Sequence, residues 1–215
     1  PEVTISELTP RKRRFFLKYL ARFLLLFESV KAKGSFLDSK RVIVTAAPHQ
    51  SGKDEYLMIL MILALDIEVC YLSAKWTMRR IPIPFIKPKD IDNQGIPWPL
   101  GWLQEIVFRK FGAIPVDRKG NSGQYDSVVQ ELFKRDSFLL IITPEGRFDA
   151  TRFRSSFLYL AKELEAEVMP VQIDYEHDTL QFLNSLNLDG SEEEVIQRLR
   201  SCFDGIKGRK SRFKA

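Results

Sequence analysis

The chain has 215 residues, of which 45% are hydrophobic and 28% are charged. These proportions are ordinary for a globular protein, and the length suits one domain with a full-sized core, which excludes a disordered or fibrous chain. No run of about 18 uncharged apolar residues is present, so we expect no membrane-spanning helix, and residues 1–3 lack the layout of a signal peptide.

The net charge of +5 is concentrated at the two ends of the chain. Residues 11–27 contain six bases and no acid, and residues 205–215 contain five bases and no acid. Without these eleven bases, 22 bases remain against 28 acids, so the rest of the chain carries a charge of −6. Basic ends on an acidic body favour an anionic membrane surface as partner, and we expect no nucleic acid.

The first predicted element is a basic amphipathic helix over residues 11–33. Bases at 11, 18 and 22 lie on one face, and the other face is apolar. This layout is typical of a helix that lies in a membrane interface, and packing on the domain's own core is the alternative. The apolar face consists of Phe16, Leu20, Phe23, Phe27 and Val30.

Short apolar runs then predict strands over residues 41–47, 67–74, 111–116, 138–143 and 167–174. Stretches of helical length lie between them, among them 123–135 and 153–164. The alternation predicts an α/β fold: a single domain with a mostly parallel central sheet flanked by helices, preceded by the N-terminal amphipathic helix. The expected boundaries are 1–34 for that basic helix, 35–204 for the α/β domain and 205–215 for a basic C-terminal tail. Residues 82–99 contain five prolines and are predicted to be irregular.

The segment APHQSGKDEY after the first of these strands allows several interpretations. A phosphate-binding P-loop requires Gly at position 47 and Ser or Thr at position 54, where this chain has Ala47 and Asp54. Ser51 followed by Asp54 is instead typical of a helix N-cap with an acidic partner. Neither interpretation accounts for His49, one of two histidines in the chain. The other, His177, is expected in a surface loop.

Polar clusters follow four of the predicted strands. If the strands are parallel, these clusters gather at the carboxyl edge of one sheet, where α/β folds place their ligands. The clusters are His49–Asp54, Lys75, Asp117–Lys119 and Pro144–Arg147.

Four segments, PHQSGKD, GAIPVDRKG, TPEGR and VMPVQI, resemble in order the motif blocks of the glycerolipid acyltransferase family, the lysophospholipid acyltransferases. His49 and Asp54 match the H-x-x-x-x-D block of that family. The third block, usually P-E-G-T-R, lacks its Thr here, so Arg147 comes one position early. The resemblance spans about residues 41–175 and implies a short member similar to 1-acylglycerol-3-phosphate acyltransferases, with residues 35–204 as the acyltransferase domain.

The resemblance implies an O-acyltransferase of phospholipid biosynthesis. It would move a fatty acyl group from acyl-CoA or acyl carrier protein to the hydroxyl of a lysophospholipid-type acceptor, with no metal and no further cofactor. A histidine at position 49 suits a general base because the ordinary pKa of an imidazole lies near neutrality, and Asp54 can accept a hydrogen bond from the second ring nitrogen. The location it implies is cytoplasmic, peripheral on the inner face of a membrane.

The substrate-binding residues that the resemblance implies lie mostly in the second and third blocks. Arg118 and Arg147 can hold a phosphate bidentately, with Arg152 or Arg154 as substitutes for Arg147. The remaining candidates are Lys75, Gly112, Asp117, Glu145 and Gly146. In such an enzyme Glu145 would hold an acceptor hydroxyl or brace an arginine, and a plain ion pair to Arg118 or Arg147 is the alternative for Glu145 and Asp117.

Two other functions stay open at this point. A non-catalytic module that binds phosphate or phospholipid at a membrane surface would keep Arg118 and Arg147 without needing His49 and Asp54. A nucleotide or phosphoester enzyme would use the damaged P-loop. The two cysteines show no metal-ligand spacing, and Cys70 is expected to be a buried thiol in a reducing compartment.

Overall fold

The computed structural model describes residues 2–5, 7, 9, 15–81, 95–116, 125–145 and 152–209. The chain divides into two compact units, unit 1 with Pro1–Val69 and Asp136–Ala215, and unit 2 with Cys70–Arg135. The elements in chain order are β1 (Glu2–Thr4), α1 (Phe15–Leu25), β2 (Lys31–Ser35), β3 (Arg41–Ala47), α2 (Gly52–Ala64), β4 (Cys70–Ala74), β5 (Arg80–Ile81), β6 (Ile96–Pro97), α3 (Gly101–Lys110), β7 (Ala113–Val116), α4 (Asp126–Phe133), β8 (Phe138–Ile142), α5 (Ser156–Glu163), β9 (Glu167–Asp174), β10 (Thr179–Phe182) and α6 (Glu192–Ser201).

Unit 1 contains a sheet with the strand order β1-β2-β10-β9-β3-β8. The central strand β3 is parallel to both of its neighbours, so that Val44 lies beside Ile141 on one side and Met169 on the other. β3 and β8 are buried along almost their whole length, as expected for parallel strands covered on both faces. The carboxyl ends of β3, β8 and β9 therefore meet at one edge.

Unit 2 contains the parallel pair β4 and β7 and the antiparallel pair β5 and β6. Cys70 begins β4 and is fully buried, as predicted. Gly112 has a φ of 95° in the turn that leads into β7, where a side chain would be strained. Its carbonyl accepts a hydrogen bond from the backbone N–H of Tyr71 at 3.0 Å, which ties this turn to β4.

The prediction of an α/β fold with mostly parallel strands is confirmed, and the five predicted strands are present with small shifts at their ends. The prediction of one helix over residues 11–33 is wrong for Lys31–Lys33, which lie in β2, and α1 ends at Leu25. The segment 1–34 also contains β1 and so is not a single helix. Strands β1 and β2 are stabilised by pairing with distant segments of the chain. The spacing of apolar residues along a single segment cannot reveal such pairing.

Helix α1 turns its apolar face away from the protein. Ala21 is buried where α1 packs on α2. Lys18 Nζ lies 3.4 Å from a carboxylate oxygen of Asp66, and Arg22 Nε donates to the carbonyl of Ala64 at 3.1 Å. These two cations thus lie at the carboxyl end of α2, where the helix dipole favours positive charge. In the described part of the chain, no helix has the length and hydropathy needed to cross a membrane.

Candidate active site

The edge where β3 and β8 end brings His49 and Glu145 together. His49 comes two residues after β3, and Glu145 comes three residues after β8. Both side chains are buried in unit 1, with His49 only 4% exposed. The backbone N–H of His49 donates to Glu145 Oε2 at 2.6 Å. Because β3 and β8 are parallel neighbours, the predicted gathering of these two polar clusters at one edge is confirmed.

Asp54 lies in the first turn of α2 and is 1% exposed. Its Oδ2 atom accepts hydrogen bonds from the backbone N–H groups of Gln50 and Ser51, both at 2.7 Å. Its Oδ1 atom accepts from Ser51 Oγ at 3.2 Å and from Tyr175 Oη at 2.6 Å. Ser51 is the N-cap residue of α2, so the helix-cap interpretation of Ser51 and Asp54 is confirmed.

The carboxylate of Asp54 also faces the imidazole of His49. The distance from His49 Nδ1 to Asp54 Oδ2 is 3.7 Å, and the distance from Nε2 to Glu55 Oε1 is 3.5 Å. Both distances exceed that of a good hydrogen bond, and both are within reach of an ion pair. Asp54 is buried whereas the Glu55 side chain is 49% exposed, so Asp54 has the stronger effect on the ring.

Burial gives Glu145 an unusual affinity for its proton. The pKa of Glu145 is raised from 4.5 to about 7, chiefly by desolvation. The hydrogen bond from the His49 backbone opposes this rise, and the negative charge of Asp54 adds to it. Near neutral pH this carboxyl group therefore exchanges between its charged and neutral forms beside the base candidate His49.

The structure describes some of the remaining predicted residues and not others. Lys75 is exposed in a short 3-10 helix after β4, and Gly112 precedes β7, both within unit 2. Arg152 and Arg154 are exposed, and the Arg154 backbone N–H donates to the carbonyl of Pro144 at 2.8 Å. His177 is exposed, as predicted. The candidates that lie outside the described residues are Asp117, Arg118, Gly146 and Arg147.

Lys53 has a different partner from the one that a P-loop requires. Its Nζ lies 2.7 Å from Glu28 Oε2. A P-loop lysine points at the phosphates, and the hydroxyl residue after it holds the metal. Here the residue after Lys53 is Asp54, whose carboxylate is engaged by backbone N–H groups. The geometry disfavours the nucleotide-binding alternative.

Sequence reasoning missed Tyr175 and Glu55. Tyr175 directly follows β9, which runs parallel to β3, so it reaches the same edge as His49. The argument that located the other polar clusters from strand ends applies equally to this strand and identifies Tyr175. Glu55 follows Asp54 in the first turn of α2 and is exposed. An acidic residue at the start of a helix is common, so nothing in the sequence distinguishes Glu55 as a neighbour of His49.

The fold is similar to a solved structure, the crystal structure of the 1-acyl-sn-glycerophosphate (LPA) acyltransferase PlsC from Thermotoga maritima. The alignment covers 94% of this chain and 80% of that chain, with a TM-score of 0.56 and 18% sequence identity. The chain has the fold of this acyltransferase. The resemblance to glycerolipid acyltransferases that the motifs indicate is thereby confirmed at the level of the fold. No protein-family model matches the chain, and no curated protein matches it.

The raised pKa of Glu145 predicts a pH-dependent stability. Because the folded-state pKa of about 7 lies above the ordinary value of 4.5, the folded protein binds the proton more tightly than the unfolded chain does. This contribution to stability is complete below 4.5 and is lost as pH rises to about 7. Glu145→Gln keeps an oxygen acceptor for the His49 N–H and removes the titration. As pH rises from 4.5 to about 7, the unfolding temperature of the wild-type protein should therefore fall relative to that of Glu145→Gln. If the unfolding temperatures of the two proteins change with pH in the same way, the raised pKa of Glu145 is contradicted.

Proposed function

We propose that the protein is an O-acyltransferase that moves a fatty acyl group from an acyl thioester to the hydroxyl of a lysophospholipid-type acceptor. The observation that carries the proposal is the buried pair His49 and Asp54 at the carboxyl end of β3. The similarity in fold to an acyltransferase supports the reaction class. The donor is acyl-CoA or acyl carrier protein, and no further cofactor takes part.

The chemistry assigned to His49 is direct attack by the acceptor. Nε2 accepts the proton of the acceptor hydroxyl while that oxygen attacks the thioester carbonyl carbon. The resulting imidazolium is stabilised by the Asp54 carboxylate on the Nδ1 side, 3.7 Å away. The tetrahedral adduct then collapses, the bond between carbon and sulfur breaks, and the thiolate takes the proton from Nε2. Ser51 caps α2 in this account and carries no acyl group.

The phosphate of the acceptor is assigned to Arg118 and Arg147. This assignment rests on the motif blocks alone, because both residues lie outside the described part of the chain. A guanidinium matches a phosphate group bidentately, which fixes the acceptor's position as well as its charge. Arg152 and Arg154 stay as substitutes for Arg147, and both side chains are exposed.

The second candidate function is a phospholipid-binding module without catalysis. Such a module needs arginines for the phosphate but has no use for a buried histidine beside a buried carboxylate. Burying these two polar groups is unfavourable unless their partners compensate for the lost water. The cap of α2 accounts for the burial of Asp54, so it is the burial of His49 beside that carboxylate that favours the enzyme.

We further propose that α1 docks the protein on an anionic membrane, which is where the acceptor is found. Phe16 is 77% exposed and Phe27, just beyond the helix, is 74% exposed. The core-packing alternative for this face is disfavoured because these rings lie in water. Four bases, at positions 11–14, directly precede α1 in the sequence and suit anionic headgroups. Lys18 and Arg22 contact Asp66 and the carbonyl of Ala64, so they contribute less to headgroup binding than the sequence led us to expect. Insertion of the aromatic rings therefore contributes a larger share of the membrane affinity.

His49→Ala should reduce acyl transfer by about 10²–10⁴-fold, because loss of a positioned general base has that effect. Asp54→Asn should be severely impaired, since it removes the charge that stabilises the imidazolium. The assay is transfer from radiolabelled acyl-CoA to lysophosphatidic acid, separated by thin-layer chromatography. His177→Ala, which changes the exposed second histidine, is the matched control and should retain full activity. Near-full activity of His49→Ala would refute the mechanism.

Replacing Phe16 and Phe23 together by Ser should weaken co-sedimentation with anionic vesicles by more than tenfold, because each buried ring contributes about 1.5–3 kcal/mol. Both rings are exposed, so folding should be unaffected. High salt should release the wild-type protein only in part. Deleting residues 1–30 is a poorer test, because it removes β1 and uncovers α2.

The control for this membrane experiment is Phe133→Ser, which removes an equally exposed ring from α4. It should bind vesicles as wild type does. Equal binding by the α1 double variant and wild type would show that the face of α1 does not contact lipid.

A further inference from the structure

Tyr175 occupies a position at the proposed site that the acyltransfer mechanism has not yet used. It directly follows β9, whose Gln172 pairs with Ala47 at the end of β3. Its side chain is 5% exposed. The phenol oxygen lies 2.6 Å from Asp54 Oδ1, across 121 residues of sequence. A hydrogen bond this short and this well buried holds both partners in one geometry.

The two oxygens of Asp54 have different surroundings. Oδ2 lies toward His49 Nδ1 and accepts from the backbone of the loop before α2. Oδ1 accepts from Tyr175 and, at 3.2 Å, from the hydroxyl of Ser51. A carboxylate held at Oδ1 cannot rotate about its Cβ–Cγ bond without breaking the short bond to Tyr175. Tyr175, together with the two backbone N–H groups at Oδ2, therefore fixes the plane of the Asp54 carboxylate relative to the imidazole.

The backbone of Tyr175 is hydrogen-bonded to the C-terminal segment. Its backbone N–H donates to the carbonyl of Lys207 at 3.0 Å, and Lys207 Nζ pairs with Glu176 at 2.8 Å. Burial, followed by the hydrogen bond to Asp54 and its negative charge, raises the pKa of Tyr175. The phenol consequently keeps its proton throughout the physiological range, and the hydrogen bond has one direction, from Tyr175 to Asp54.

We propose that Tyr175 is a positioning residue for the acyltransfer reaction, which anchors Asp54 so that Oδ2 faces His49 Nδ1. The inference rests on the proposed function and adds a third member to the pair His49 and Asp54. A donor at Oδ1 also draws negative charge away from Oδ2. Tyr175 thus limits how strongly the Asp54 carboxylate acts on the imidazole of His49.

Several charged groups besides Asp54 face this assembly. Glu55 comes from α2, 3.5 Å from His49 Nε2, and Glu145 comes from the loop after β8. Arg209, in the C-terminal segment, acts on Tyr175 with its positive charge. None of these groups is changed by Tyr175→Phe, so a shift in the pH profile of that variant reports the contact between Tyr175 and Asp54.

Tyr175→Phe should lower kcat/KM by about tenfold, as expected for loss of a hydrogen bond to a charged group. KM for acyl-CoA should change little, and the acidic limb of the pH–rate profile should move to higher pH because His49 becomes more basic. Tyr56→Phe, which removes an exposed hydroxyl from α2, is the control and should match wild type. An unchanged rate and an unchanged pH profile for Tyr175→Phe would overturn the proposal.

A double variant separates positioning from a general structural role. If Tyr175 acts through Asp54, adding Tyr175→Phe to Asp54→Asn should cause no further loss of kcat/KM. A further tenfold loss on the Asp54→Asn background would mean that Tyr175 acts elsewhere, and would also overturn the proposal. If Tyr175→Phe behaves as wild type while His49→Ala is inactive, the positioning role fails and the proposed function stands. If His49→Ala retains activity, both fail.

Discussion

The site is organised around one buried carboxylate, that of Asp54. Burying an unpaired charge in a protein interior costs a free energy of roughly several kcal/mol, so a buried carboxylate must be surrounded by hydrogen-bond donors. Asp54 meets this requirement with two backbone N–H groups before α2, the hydroxyl of Ser51 and the phenol of Tyr175. The hydrogen bonds of this one carboxylate thus hold together the start of α2, the loop that carries His49 and the residue that follows β9.

This constraint removes an apparent conflict between two interpretations of the segment Ala47–Tyr56. A helix cap and a catalytic pair seem to be alternatives in the sequence, because each uses Asp54. In the structure the same carboxylate closes the first turn of α2 and faces the imidazole. The donors that a cap requires are also the ones that hold Asp54 in place beside His49, so the structural requirement and the proposed catalytic one coincide.

The sequence was sufficient to predict the strands whose residues are apolar on both faces. β3, β8 and β9 are such strands, and their order and parallel direction place His49 and Glu145 at one edge. It was not sufficient for β1 and β2, whose short and partly polar segments are stabilised by backbone pairing with distant residues. Tyr175 was missed for a different reason: it follows the predicted strand β9, but the strand-end argument was not applied to that strand. The roles of Arg118 and Arg147 stay predictions from the motifs.

Helix α1 shows what periodicity cannot decide. The pattern in the sequence separates an apolar face from a basic face but does not say which one meets the protein. The carboxyl end of α2 accepts the cations Lys18 and Arg22, and the burial of Ala21 brings the helices close. The aromatic face is left in water as a consequence, which is why we assign it to a lipid surface near the acceptor.

The central claim, that Asp54 governs the imidazole of His49, is tested most directly by ¹⁵N NMR of the two histidine rings. The chain has only two histidines, and exposed His177 serves as the internal reference. The account predicts that neutral His49 carries its proton on Nδ1, toward Asp54, leaving Nε2 free as the base. It also predicts that Asp54→Asn abolishes this preference while the His177 signals stay unchanged. A neutral His49 that carries its proton on Nε2, or that is unaffected by Asp54→Asn, would contradict the account.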